Sequence, residues 1–319
     1  MALFDTISET AGPLWVVIDT NSLASEELHA FLSASKQNRA VLPDYVAMER
    51  FKPDNLQALR DGLSVLKPFA DQVVILKGTG EISGLNPDEQ TFPAAMIDAE
   101  QTEAFGEFCQ LLDQALDGDE AILGQLRERA SWAQAQMAVV LAGSSDFPAD
   151  LAEFEAFFTA TDLTHMRRGG TLTPAMHNKF DNAVGAIAHS VFQKAPVPLT
   201  YPSAENWPNH FILRNAFCNG VYMLSFIQRG IGARRPEKAR NDVVDILLAT
   251  YGTYFNGVMS NDELTNHVHH IGRFLLETDG VRLAPDYLQL LADGAAKEVA
   301  DGPSDGATDA AASPLRNPI

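Results

Sequence analysis

Between residues 14 and 78 two hydrophobic patterns alternate, and that alternation restricts the fold more than any other feature of the chain. "LWVVI" (14–18), "RAVL" (39–42) and "QVVIL" (72–76) are short, nearly continuous apolar runs of the kind found in strands buried on both faces. Between them "SEELHAFLSASKQ" reads as an amphipathic helix capped by Ser25, "YVAMERFK" as the start of a second helix and "NLQALRDGLSVLKPFA" as a third. Strands separated by helices pair through crossovers, so the expected class is α/β, a parallel sheet flanked by helices.

After Leu85 the strand-like runs stop. The segment 88–142 is helical in period and strongly acidic in its first part, which suits a solvated surface or the binding of a basic partner. "DLAEFEAFFTAT", "TPAMHNKFDNAVGAIAHSVFQK" and "HFILRNAFCNGVYMLSFIQRG" continue the helices around a Pro-rich connector, "APVPLTYPSAENWPN". The α/β pattern then resumes with helix "NDVVDILLATYGTYF", strand "NGVMS" and helix "NDELTNHVHHIGRFLLET", followed by a last helix, "PDYLQLLADGAAKEV". The expected organisation is an α/β domain in two parts, 1–84 and 228–298, around a large helical insertion at 85–227. The tail 299–319, rich in Ala, Gly, Pro, Ser and Asp, is expected to be disordered.

The formal charge of −19 argues against indiscriminate adhesion to nucleic acid, though a local basic patch can still grip phosphates. No apolar run approaches the ~20 residues needed to cross a bilayer, so no membrane partner is expected. "MALFDTISETAG" carries acids where a signal peptide needs a basic segment, so a cytoplasmic location is expected. Cys109 and Cys218 stand far apart without metal-site spacing and read as reduced, buried, small apolar residues.

The acids carry the functional signal. Asp19 ends the first apolar run, where desolvating a carboxylate is costly unless a cation meets it. Glu49 lies on the helix after the second run, Asp242 and Asp245 are three apart on a late helix, and Asp262 follows the last strand. In a parallel sheet ligands collect at the carboxyl ends of strands, where Asp19 and Asp262 emerge and helix starts bring Glu49 and Asp245. Carboxylates gathered there repel one another, and oxygen-only ligands suit Mg²⁺ or Mn²⁺. Taken singly each acid has a plainer reading: Asp19 or Asp262 as a helix cap, Glu49 as a solvated residue, Asp242 as a partner of the helix dipole.

Four motifs in order, "VVIDTNSL", "AVLPDYVAMERFK", "NDVVDILLATYG" and "NGVMSNDELTN", resemble those of the PIN domain family of metal-dependent nucleases. The resemblance covers about residues 14–80 and 228–277 and implies a PIN-like α/β fold. Carried over by position, it implies catalytic, metal-binding acids at Asp19, Glu49, Asp245 and Asp262, with Asp242 as a further metal ligand and Asn21, Ser260 and Asn261 orienting the site. The implied activity is hydrolysis of RNA phosphodiesters with Mg²⁺ or Mn²⁺, leaving 5′-phosphate and 3′-hydroxyl ends. A haloacid-dehalogenase reading of "DTN" needs a second Asp where Asn21 stands. Two alternatives remain open: an inactive PIN-like scaffold binding a protein partner through its helical insertion, and a structure-specific DNA nuclease.

The basic stretch "RGIGARRPEKAR" supplies Arg234, Arg235, Lys238 and Arg240 as candidates for substrate phosphates, with Arg39, Arg50 and Arg214 as weaker ones. His267, His269 and His270 lack a metal-site frame and read as a solvated helix, whereas Trp132 and Trp207 read as packing anchors.

Overall fold

A computed structural model of the chain describes residues 12–52, 54–142, 147–229 and 236–293. The fold is α/β. Strands β1 (Trp15–Ile18), β2 (Arg39–Leu42), β3 (Val73–Ile75) and β4 (Val258–Met259) form one all-parallel sheet in the order β3-β2-β1-β4. The strands are short, and Val16, Val17, Ile18, Ala40, Val41, Val258 and Met259 are buried, as their apolar runs require.

Helix α1 (Glu26–Ala34) starts where Ser25 Oγ accepts the Leu28 amide, and α2 (Asp44–Arg50) follows β2. The third expected helix is α3 (Leu56–Gly62), which ends early; the chain resumes as a 3₁₀ segment at Lys67–Gln72, opened by Pro68, which cannot sit inside an α-helix. After β3 come α4 (Thr79–Ser83), α5 (Ala99–Leu116) and α6 (Glu120–Ala142). The segment before α5, expected to be helical, is irregular: Leu76 and Ile97 form an antiparallel bridge. Then follow α7 (Phe147–Glu155), α8 (Ala160–Arg167), α9 (Pro174–Lys194), α10 (Phe211–Arg229), α11 (Pro236–Gly252) and α12 (Glu263–Thr278). Among the described residues no helix is long and apolar enough to cross a membrane.

Two buried cores divide the molecule, and they do not divide at residues 85 and 227. The first gathers the sheet with α5 and α6, through Phe105, Cys109, Leu112, Leu126 and Met137. The second contains no strand and runs from Leu151 on α7 to Leu276 on α12. Helix α11 is the wall between them, giving Leu247, Leu248 and Tyr251 to the first and Ile246 and Ala249 to the second.

Two side chains depart from their expected settings, Trp132 and His269. Trp132 is 64% exposed on α6 rather than packed, whereas Trp207 packs against Phe192, Tyr201 and His210. His269 is buried rather than solvated, because its Nε2 lies 2.7 Å from Asp286 Oδ2 and Nδ1 faces the Ala249 carbonyl. The expected helix "NLQALRDGLSVLKPFA" keeps its apolar residues Leu56, Leu59, Leu63 and Leu66 buried despite the break. Cys109 and Cys218 are buried and free of disulfides. The tail 299–319 lies outside the described residues.

Candidate functional site

The register of β1 against β4 assembles the site. Val17 pairs with Val258 and Ile18 with Met259, and the Asp19 amide donates to the Met259 carbonyl at 3.0 Å. Asp19 and Ser260 therefore leave the sheet side by side. The chain steps from β1 outward to β2 and β3, then returns to lay β4 on the other side of β1. The crevice beyond the carboxyl ends of β1 and β4 is thus the point where strand order reverses, the place where open α/β sheets bind ligands.

Asp19 is only 5% exposed. Its Oδ2 accepts hydrogen bonds from Asn21 Nδ2 at 2.7 Å and Ser260 Oγ at 2.5 Å. Asp19 precedes the 3₁₀ turn Thr20–Ser22 but makes no side-chain cap bond to it, which removes the capping explanation. Thr20 Oγ1 lies 3.2 Å from Asp19 Oδ1 and 2.8 Å from Glu49 Oε2, so one hydroxyl joins the two acids. Arg50 stands behind this pair, donating from Nη2 to the Thr20 carbonyl at 2.6 Å. Glu49 itself is exposed, and among the described residues it reaches the group through Thr20.

On the β4 side, Asn21 Oδ1 accepts the Asn261 amide at 3.0 Å, so Asn261 acts through its main chain. Ser260 Oγ accepts the Asp262 amide at 3.0 Å. Asp262 does cap α12: its Oδ1 accepts from the Leu264 and Thr265 amides at 2.8 and 2.9 Å. Its Oδ2 has no hydrogen-bond partner among the described residues and remains available as a ligand atom.

Helix α11 brings the remaining acids. Asp242 is buried and accepts a hydrogen bond from the Tyr222 hydroxyl on α10. Because α11 begins at Pro236, Asp242 stands beyond the first turn, where the helix dipole acts most strongly. Asp245 is pushed up to about 7, first by burial and then by the negative charges of Asp262, Asp19 and Asp242; the Thr265 hydroxyl offsets part of this. Asp19, Asp242 and Asp262 therefore all act on Asp245, although the sequence separates Asp19 from Asp262 by 243 positions.

Several expected members do not join this group. Arg234 and Arg235 lie outside the described residues; Lys238 and Arg240 fall at the start of α11, with side chains likewise outside them. Arg39 begins β2, at the opposite end of the sheet, and donates to the Lys36 and Asn38 carbonyls. Arg214 is buried near Thr253, past the far end of α11. Three contributors went unnoticed in the sequence: Thr20, Tyr222 and Thr265. Thr20 sits beside Asp19 and was open to notice; nothing in sequence spacing points to Tyr222.

The donor chemistry fits a hard cation: carboxylate oxygens surround the crevice, and close by on α12 the buried Asn266 Oδ1 has no hydrogen-bond partner among the described residues. The acids are not drawn into a tight cage, however. Among the described residues, the set of three His, Cys, Asp or Glu ligand atoms lying within 4.8 Å of one another is instead His177, Asp181 and Asp279. Those residues belong to α9 and the end of α12, away from the sheet rim.

No protein-family model, curated protein or solved structure matches the chain.

Proposed function

We propose that the chain is a PIN-like nuclease that hydrolyses RNA phosphodiesters with Mg²⁺ or Mn²⁺ held at the β1–β4 crevice. The observation that carries this reading is the setting of Asp245, a carboxylate pushed up to about 7 by burial first and then by three neighbouring aspartates. Such a group either keeps a proton or gives it up to a cation, and the oxygen-only surroundings favour Mg²⁺ or Mn²⁺. Asp19, Asp262 and Asp245 would hold the ion, with Asp242 behind them and Glu49 at the open side. When bound, a divalent cation offsets charge on a phosphoryl oxygen and makes water more acidic.

The chain's own residues have separable tasks. Ser260 and Asn21 hold the Asp19 carboxylate in one orientation, and Thr20 ties Glu49 to it. With no cation bound, Asp245 can take or release a proton at its carboxyl group near neutral pH. Arg50, and the basic segment that leads into α11, are the cations available for substrate phosphates.

Cleavage of matched RNA and DNA oligonucleotides tests the reading. Asp19→Asn is expected to slow RNA cleavage by about 10²–10³-fold, the scale of losing one charge-stabilising group, while the fold survives. EDTA should stop cleavage and Mn²⁺ restore it. Metal-independent cleavage, or preference for the DNA strand, overturns the proposal as stated. The scaffold reading draws on the neutral donors that already satisfy Asp19 Oδ2. It predicts no rise in melting temperature with Mn²⁺, whereas a functional site at 100-fold excess over Kd gains about 2.7 kcal/mol.

A further inference from the structure

A cavity of about 430 Å³ lies where the 87–93 loop, the Asn206–Asn209 turn, the end of α11 and the 282–284 loop meet. Asn256, just after it, bonds to Trp15 at the start of β1, so the cavity is at the end of the sheet opposite Asp19. Asp245 and Gly252 are seven residues apart on α11, roughly 10 Å of helix rise. The cavity is therefore separate from the acid crevice.

Its charge is the reverse of the chain's. In a sequence with 42 acidic and 23 basic residues, the described lining contains no Asp or Glu and two arginines. Arg214 is 4% exposed, and its partners are all neutral: the Pro208 carbonyl at 2.9 Å, the Thr253 carbonyl at 2.7 Å and Asn209 Oδ1 at 3.0 Å. The Tyr254 ring covers its guanidinium at 4.0 Å. No described carboxylate forms an ion pair with it, so a full positive charge is buried without an anion. Arg282, exposed at the mouth, has no described hydrogen-bond or ion-pair partner either. Asp88 in the adjoining loop is taken up by Ser203 and Asn206. Beside the charges, Phe92 and Tyr254 set their rings 5.7 Å apart and Leu283 adds apolar surface.

We propose that this cavity binds a small organic anion, with its phosphate or carboxylate between Arg214 and Arg282 and its apolar or aromatic body against Phe92, Tyr254 and Leu283. The volume is within the range of small-molecule sites, and a neutral body of matched size would leave the buried guanidinium uncompensated. A ligand there would supply the counter-charge that the fold withholds from Arg214.

Calorimetric titration of the full chain in EDTA tests this with adenosine 5′-monophosphate, benzoate and inorganic phosphate as probes, and adenosine as the neutral control. EDTA keeps the acid crevice free of cations and hostile to anions. At least one of the two organic anions should bind saturably and adenosine should not. The phosphate and carboxylate arms separate the two head groups, and inorganic phosphate reports the head group alone. Arg282→Gln, a change at an exposed position, should weaken that binding about fivefold or more, and Arg282→Glu should abolish it. Absence of saturable binding for both organic anions overturns the proposal, as does binding that is unchanged in Arg282→Glu.

Discussion

Asp286 and Asp245 are both half-buried acids that pack beside helix α12, yet their surroundings drive them in opposite directions. For Asp286 burial alone would raise the carboxyl, but the hydrogen bond and charge of His269, 2.7 Å away, and the Arg273 guanidinium at 3.4 Å bring it below its usual value. For Asp245 burial is joined by the charges of Asp262, Asp19 and Asp242, and the group rises to about 7. Neither Asp19, Asp245 nor Asp262 forms an ion pair with a described Lys or Arg. One corner of the molecule is internally neutralised; the other leaves its carboxylates to serine, asparagine and threonine. The difference is why the proposed cation is assigned to the sheet rim and not to Asp286.

The largest expected effect comes from breaking the neutralised corner. Arg273 is buried, donates to the Ala284 carbonyl and faces Asp286, so Arg273→Met should cost about 3 kcal/mol in denaturant unfolding, as removal of one buried ion partner does. A loss under about 0.5 kcal/mol would mean that pairing is not what stabilises that corner.

Asp245→Asn tests the opposite corner. Its folded value is raised above the unfolded 3.8, so its contribution to stability is fully present below about pH 4 and is lost as pH rises towards 7. Cation-free protein should therefore lose up to about 1.4 kcal/mol per pH unit across that window from this one group. Asp245→Asn should flatten the slope and be the more stable form at pH 8 in EDTA, read by guanidinium unfolding at pH 5 and 8. An unchanged slope would show that neither burial nor its neighbours raise Asp245.

Smaller effects sharpen the contrast further. Tyr222→Phe removes the hydroxyl that Asp242 accepts from and should cost about 1.5 kcal/mol by the same unfolding measurement. Glu49→Gln, at an exposed position tied only to Thr20, should alter stability by less than about 0.5 kcal/mol while reducing RNA cleavage in the oligonucleotide assay. A stability loss as large as that of Tyr222→Phe would place Glu49 in the packing rather than at the open side of the site.

Much of this was legible in the residues themselves. The buried runs at 14–18, 39–42 and 72–76 contain β1, β2 and β3, and Ser25 caps the helix it precedes, because burial on both faces and a side-chain oxygen before a helix leave local marks. The helices at 99–142 were legible as helices but not as partners of the sheet, since an amphipathic face does not say what it packs against. His269 read as solvated because its neighbours on α12 are polar; its partner, Asp286, lies seventeen residues on, beyond the end of the helix.

The chain alone determined that strands and helices alternate, that the sheet is parallel, and that acids stand at strand ends and on late helices, because these follow from periodicity and from where polar residues interrupt apolar ones. Only the tertiary structure decided that Asp19 meets Ser260, that Asp245 feels three aspartates, and that Arg214 is buried without a counter-charge. Those facts depend on the register of β4 beside β1 and on helix α11 forming the wall between two cores. Contacts between residues some 240 positions apart leave no local trace, and electrostatic cost exists only once the groups are desolvated together.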